Sequence, residues 1–288
     1  MNISTIRNYL RSMRMVLRRE RLSNIAWLKW HLPFELVNLA MSLLTYYYYA
    51  VTFGAESPFL KPYGGNFMAF FLLGLSLNTF LTYSLTGPPN LIRRLYMGRM
   101  GVFGTFISAA DYYELANVPV MLYLVTELLY GFFQNLVYSA FYLIFGIIFL
   151  GFSIKLPADY IGLLIILSLG ILASLGIGLI SASMIWIADI WYGQEPIQWF
   201  LSLLSNLISG VYFPPEVLPS FLQILAFMLP QTHTLRIIRL IILRGVAMRE
   251  LVLEVILLVA ESALLMTLGL ILFKHSLKIA KRKGGLIR

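Results

Sequence analysis

The stretch Tyr160-IGLLIILSLGILASLGIGLISASMIWI-Ala188 holds no charged residue. About 20 helical residues cross a hydrocarbon core of about 30 Å, so this stretch reads as a membrane span. Within it Gly170, Ser174, Gly178 and Ala182 recur every four residues and place small side chains on one helical face. Such a stripe lets a second helix approach closely in lipid, where association depends on packing.

Outward from that run the chain stays apolar. It has 288 residues, 59% hydrophobic and 12% charged, with a mean hydropathy of +0.81, whereas a soluble domain carries about 25% charged residues. Further spans are expected near residues 33–53, 66–86, 128–150, 196–212 and 251–273, giving six helices in one transmembrane domain over 1–288. Residues 1–32 form an amphipathic segment, 33–273 the helical bundle and 274–288 a basic tail. The fold class expected is an all-α membrane protein with an interface helix at the start and a re-entrant outer hairpin between helices five and six.

Of the Lys and Arg residues, sixteen lie in 1–32, 87–119 and after 273, against six at Lys61, Lys155, Arg236, Arg239, Arg244 and Arg249. The positive-inside rule then places both termini in the cytoplasm of a plasma-membrane protein. Tyr46, Tyr47, Tyr48 and Tyr49 fall near the outer end of span one, where phenol rings suit the headgroup boundary. The net charge of +9 sits beside apolar spans, so anionic lipid rather than nucleic acid is the partner it implies. In the tail, Ile3, Ile6, Leu10, Met13 and Leu17 share a face beside Arg7, Arg11, Arg14, Arg18 and Arg21. That pattern fits a helix lying on the inner leaflet, and it also fits a topogenic segment.

Between 196 and 235 the only charge is Glu216. One continuous helix of that length would run about 60 Å, twice the membrane, so the chain must break. The break is Gly210-Val-Tyr-Phe-Pro-Pro-Glu-Val-Leu-Pro219, where Pro214, Pro215 and Pro219 lack amide donors and Gly210 permits a turn. A short helix over 218–228, ending at Pro230, would dip back on the outer side. Irregular backbone at that depth is tolerated only against protein or a water-filled path.

Catalytic chemistry is poorly provided for. There is no phosphate loop of the G-x-x-x-x-G-K type, no H-E-x-x-H, no G-x-S-x-G and no cysteine, and His31, His233 and His275 lack metal-ligand spacing. No enzyme activity and no cofactor are expected on this chain. Two polar stripes, Asn78-Thr82-Thr86 in span two and Ser202-Ser205-Asn206-Ser209 in span five, either line a substrate path or bind helices together. Glu254 and Glu261, seven apart on one face, either relay protons or ions or face the bundle as hydrogen-bonded carboxyls.

From Gly210 to Arg236, followed by Arg239, the chain resembles the C-terminal signature of ABC-2 type transporter permeases: a glycine, Phe-Pro, Leu-Pro, an apolar helix containing glutamine, a further proline and an arginine. A second stretch, Arg99-Met-Gly101-Val-Phe-Gly-Thr-Phe-Ile-Ser-Ala-Ala110, is similar to the first cytoplasmic loop of that family, with Gly104 where an acid is usual and Ala110 where proline is usual. The resemblance implies an export permease whose two copies, or one copy and a related partner, dock on two separate ATPase subunits that hold ATP and Mg. It places the ATPase-coupling segment at Arg99, Met100, Gly101, Phe103 and Phe106, and an outer gate at Gly210, Phe213, Pro214 and Pro219. The substrate path would be lined from Asn78, Thr82, Ser202, Ser205, Asn206 and Ser209. Two rival readings are an ion-coupled secondary transporter that needs no ATPase and a membrane scaffold that transports nothing.

Overall fold

A computed structural model describes Arg14, Arg18 and residues 25–53, 58–96, 99–100, 106–107, 120–149, 160–190, 199–200 and 208–282. Most of these are helical, joined by turns, and one two-residue antiparallel ladder pairs β1 (Arg99–Met100) with β2 (Phe106–Ile107). A π-helical turn, Trp27–His31, leads into α1 (Leu32–Phe53); then follow α2 (Phe67–Tyr96), α3 (Val120–Phe149) and α4 (Tyr160–Ile187). Two short helices come next, α5 (Ser220–Phe227) and α6 (Pro230–Arg239), and the long α7 (Val252–Arg282) is the last described element. Among the described residues four helices are long and apolar enough to cross a membrane: α2, α3, α4 and α7. Exposed Leu129, Phe133, Ile161, Leu164, Leu253 and Ile256 are the outward faces such helices present to lipid.

Two clusters at opposite ends fix the directions of these helices. Leu91 and Leu95 late in α2, Tyr123 early in α3, Trp186 late in α4 and Phe273 with Ala280 late in α7 pack together. At the other end Tyr63 and Phe70 pack with Leu240 and Leu243. So α2, α4 and α7 run the same way and α3 runs against them. Because α4 and α7 are parallel, the chain has to return from the Trp186 end between them.

The helices approach where side chains are missing. A Cβ at Gly176 of α4 would stand 2.4 Å from the Leu265 carbonyl carbon, and one at Gly269 of α7 2.5 Å from the Gly176 oxygen. The stripe read in the sequence lies on other contacts of the same helix. Gly170 faces Thr234 of α6, Gly178 faces the Ser84 and Leu85 carbonyls of α2, and Ser174 and Ala182 are buried.

Several boundaries differ from the expected ones. The second span does not stop at Thr86: α2 continues through Pro88 and Pro89 to Tyr96. Interior proline usually kinks or ends a helix, but here both rings are buried and the carbonyls they leave without donors face α4. Helix α3 is described from Val120, eight residues before the apolar span expected from 128, and α7 runs nine residues past 273 to Arg282. Lipid-facing and solvent-facing turns of one helix differ in composition but not in hydrogen bonding, so hydropathy marks the membrane and not the helix end.

Candidate functional site

The break at Gly210 builds the most unusual part of the chain. Gly210 has φ +83°, a left-handed conformation that favours glycine, and a Cβ there would also meet the Pro215 ring at 3.1 Å. Pro214 is extended and starts the 3₁₀ turn Pro215–Val217, Pro219 is extended and precedes α5, and Pro230 occupies the first turn of α6. Each proline thus stands where a helix begins and its missing donor costs nothing. The expected helix over 218–228 is α5, confined to Ser220–Phe227, and Pro230 opens a further helix rather than ending the hairpin.

That further helix lies inside the bundle. Residues 230–235 and 237–239 of α6 are all buried, wedged against α2, α4 and α7. Thr234 meets Gly170 partway along α4, Ile237, Ile238 and Ile241 pack on Ile166 and Leu258, and Leu243 reaches the Gly64 turn. Helix α5 is the opposite: only Ala226 is buried, and Phe221, Ile224 and Met228 are exposed.

One guanidinium joins the break to the bundle. Arg239, 1% exposed, donates from Nε to the Phe70 carbonyl at 3.1 Å, from Nη1 to the Gly210 carbonyl and from Nη2 to the Val211 carbonyl at 2.9 Å. Its Cζ also stands 3.5 Å from the centre of the Phe70 ring. A second set of charged groups lies on the other side of α6. Arg236 is 4.0 Å from Glu216 and 3.8 Å from Glu254, and His233 is 3.7 Å from Glu261. The Tyr63 hydroxyl donates to Glu216 at 3.0 Å; burial first, and the Glu216 carboxylate second, push its ionisation well above the usual phenol range. Gln223 Nε2 donates to the Glu216 and Leu218 carbonyls, covering two acceptors the break leaves free.

The structure therefore assembles some of the sequence-named residues and leaves others apart. Glu254 and Glu261 do share a face, and it is the face toward Arg236 and His233 of α6, as the bundle-facing reading requires. Gly210, Phe213, Pro214 and Pro219 belong to one turn, with Pro214 buried and Pro219 exposed. Asn78 Oδ1, Thr82 Oγ1 and Ser209 Oγ are buried and accept or donate no hydrogen bond; Thr86 instead donates to the Thr82 carbonyl. Ser202, Ser205 and Asn206 lie outside the described residues, as do Gly101 and Phe103, while Arg99, Met100 and Phe106 are described only as backbone in the β1–β2 ladder. Of the amphipathic tail, Arg14 and Arg18 are helical and exposed.

Gly74 and Tyr63 were not singled out from the sequence, and Arg239 was named there only as part of a resemblance, without the role the structure gives it. A signal for Arg239 was there: a break inside an apolar segment frees carbonyls that need donors, and few cationic side chains are near enough in the chain to supply them. Comparison with family models, curated proteins and solved structures gives no match to this chain.

Proposed function

We propose that this chain is the permease subunit of an ATP-driven exporter of the ABC-2 type, moving an amphipathic, lipid-linked or drug-like substrate outward. Two copies, or one copy and a related permease, would dock on two ATPase subunits carrying ATP and Mg. The observation that carries the reading is the broken, proline-rich course of the chain from Gly210 to Arg239. From Gly210 the described chain turns on three prolines and continues as a short exposed helix and a short buried one, the latter inserted between α2, α4 and α7. Such a hairpin can close a path from its outer end while the bundle below stays packed.

Six spans, with both termini in the cytoplasm of the plasma membrane, complete this reading. Parallel α4 and α7 need a crossing between them, and residues 196–212 are apolar enough to supply it. Helix α1, with its start tied to α3 by the Tyr138 hydroxyl on Glu35 and its Leu43 packed among Leu72 and Tyr142, supplies the remaining one. Coupling to the ATPase falls to Arg99, Met100, Gly101, Phe103 and Phe106, where a short segment with bulky apolar side chains would fill a groove of the partner. A soluble ATPase should co-purify with the chain from its own cells, and ATP hydrolysis should need both; robust hydrolysis by the chain alone refutes the assignment.

A second reading is favoured by one observation. Glu254 and Glu261 each keep a buried carboxylate oxygen without a hydrogen bond, as a proton-coupled transporter acting without an ATPase would use. Substrate movement driven by a pH gradient in vesicles holding only this chain, and abolished by Glu261→Gln, would select it.

A further inference from the structure

We propose that Arg239 is the positioning residue of the outer hairpin: it locks the Gly210 turn to α2, so that movement of the hairpin takes place at α5 and at the ionic face toward α7. This rests on the gating reading above. Carbonyls that leave helical register inside hydrocarbon must find donors in the protein. Gly210 and Val211 find theirs in a single side chain, which also binds Phe70 of α2. A planar guanidinium presents its donors in a rigid fork, so these three carbonyls are held in one geometry together.

Gly74 is the counterpart on α2. A Cβ there would stand 2.0 Å from Arg239 Nη2 and 2.6 Å from the Val211 oxygen. The turn can approach α2 this closely only because position 74 carries no side chain.

The other side of the hairpin is held differently. Arg236 and His233 reach Glu254 and Glu261 at ion-pair distance, yet Arg236 Nε, Glu254 Oε2 and Glu261 Oε2 have no hydrogen bond. Helix α5 contributes Ala226 to a small cluster with Ile208 and Leu229, and Gln223 bonds back within the hairpin. One face of the hairpin is tied by three guanidinium hydrogen bonds, while the ion-paired groups of the other keep unbonded polar atoms, so the second is the one that can part.

The chain has no cysteine, and Ser209, fully buried beside the turn, is a reporter that changes little in size when replaced by cysteine. The experiment uses the chain alone in nanodiscs, with N-ethylmaleimide as the probe, so its outcome does not depend on the ATPase or on transport. With Arg239→Gln, labelling of Ser209→Cys should speed up by about tenfold or more, the equivalent of losing one hydrogen bond to a charged group. Arg239→Lys, which keeps the charge but not the fork, should fall between. Labelling of Ser276→Cys, buried at the far end of α7, should not change. Unchanged Ser209→Cys labelling in both variants, or a parallel rise at Ser276→Cys, overturns the proposal. If neither Arg239 variant folds, hydrogen exchange on the unmodified chain decides: amides of 208–213 should exchange as slowly as those of 67–74 and at least about tenfold more slowly than those of 222–227. Equal exchange in 208–213 and 222–227 overturns it as well.

Discussion

Gly178 of α4 lies directly against the main-chain carbonyl of Ser84 in α2: a Cβ at 178 would stand 2.6 Å from that oxygen and 2.8 Å from the Leu85 oxygen. These are the two carbonyls that Pro88 and Pro89, four residues on, leave without helical donors. Close approach of the glycine backbone covers them with Cα–H contacts and keeps lipid out. The proline pair and the small-residue stripe are therefore two halves of one contact.

Gly178→Leu should accordingly destabilise the bundle by about 1–3 kcal/mol through overpacking, read as a lower thermal midpoint in detergent. Ser168→Leu on the exposed face of the same helix should stay within about 0.5 kcal/mol of the parent. Equal midpoints for the two variants would mean that α4 and α2 do not pack at Gly178.

At the hairpin, Gly210→Leu forces a left-handed φ on a branched side chain and presses on Pro215. Pro219→Ala frees the start of the exposed α5. Both should change substrate efflux or basal ATPase activity of the proposed transporter, with Gly210→Leu costing roughly 1–3 kcal/mol of stability as well. Full activity in both variants would remove this turn from the mechanism, and loss of assembly in step with transport would make it a structural joint.

The proposed orientation is open to direct labelling. Ser220→Cys should react with an impermeant maleimide from outside intact cells, and Lys278→Cys only after the inner face is exposed. Both side chains are exposed in the structure, so a silent site is not the explanation of a negative result. The reverse pattern would invert the topology.

Tyr63 links alkaline pH to stability. Its folded ionisation lies above the unfolded value of about 10, so its contribution is complete below about pH 10 and is lost as pH rises toward the folded value. Tyr63→Phe should remove this share of the alkaline loss and, by stripping Glu216 of its hydroxyl donor, cost about 1–3 kcal/mol at neutral pH. Identical unfolding profiles for parent and variant between pH 8 and about 11 would place Tyr63 outside the network.

Phe103→Asp tests the coupling segment. If this segment fills an apolar groove of an ATPase as proposed, a carboxylate placed there is costly to desolvate. The variant should still insert in the membrane but retain the ATPase poorly or hydrolyse ATP without efflux. Normal co-purification and efflux would move coupling to another part of the chain.

Much of the architecture was legible because lipid imposes simple arithmetic. A span needs length and lack of charge, and Tyr160 to Ala188 has both, so α4 could be placed to within a residue. Local backbone chemistry was legible for the same reason: Gly210, Pro214, Pro219 and Pro230 each restrict only their own neighbourhood, and the turn forms where they stand. Helix ends were not legible at Thr86, since proline's effect on a helix depends on whether another chain segment covers the carbonyls it exposes.

What the sequence determined by itself is thus the membrane class, the small face of α4 and the position of the break, all set by side chains acting over one or two turns. What the tertiary structure alone decided is where the broken segment goes and what holds it. Arg239 and Phe70 are 169 positions apart, and no periodicity relates them. Arg236 and Arg239 differ by three positions, yet one is fully bonded to carbonyls beside α2 and the other shares two carboxylates across α6. The difference arises because α6 is wedged between α2 and α7: Arg239 is buried and takes carbonyls as partners, whereas the partly exposed Arg236 lies within ion-pair distance of carboxylates on its own face of the helix.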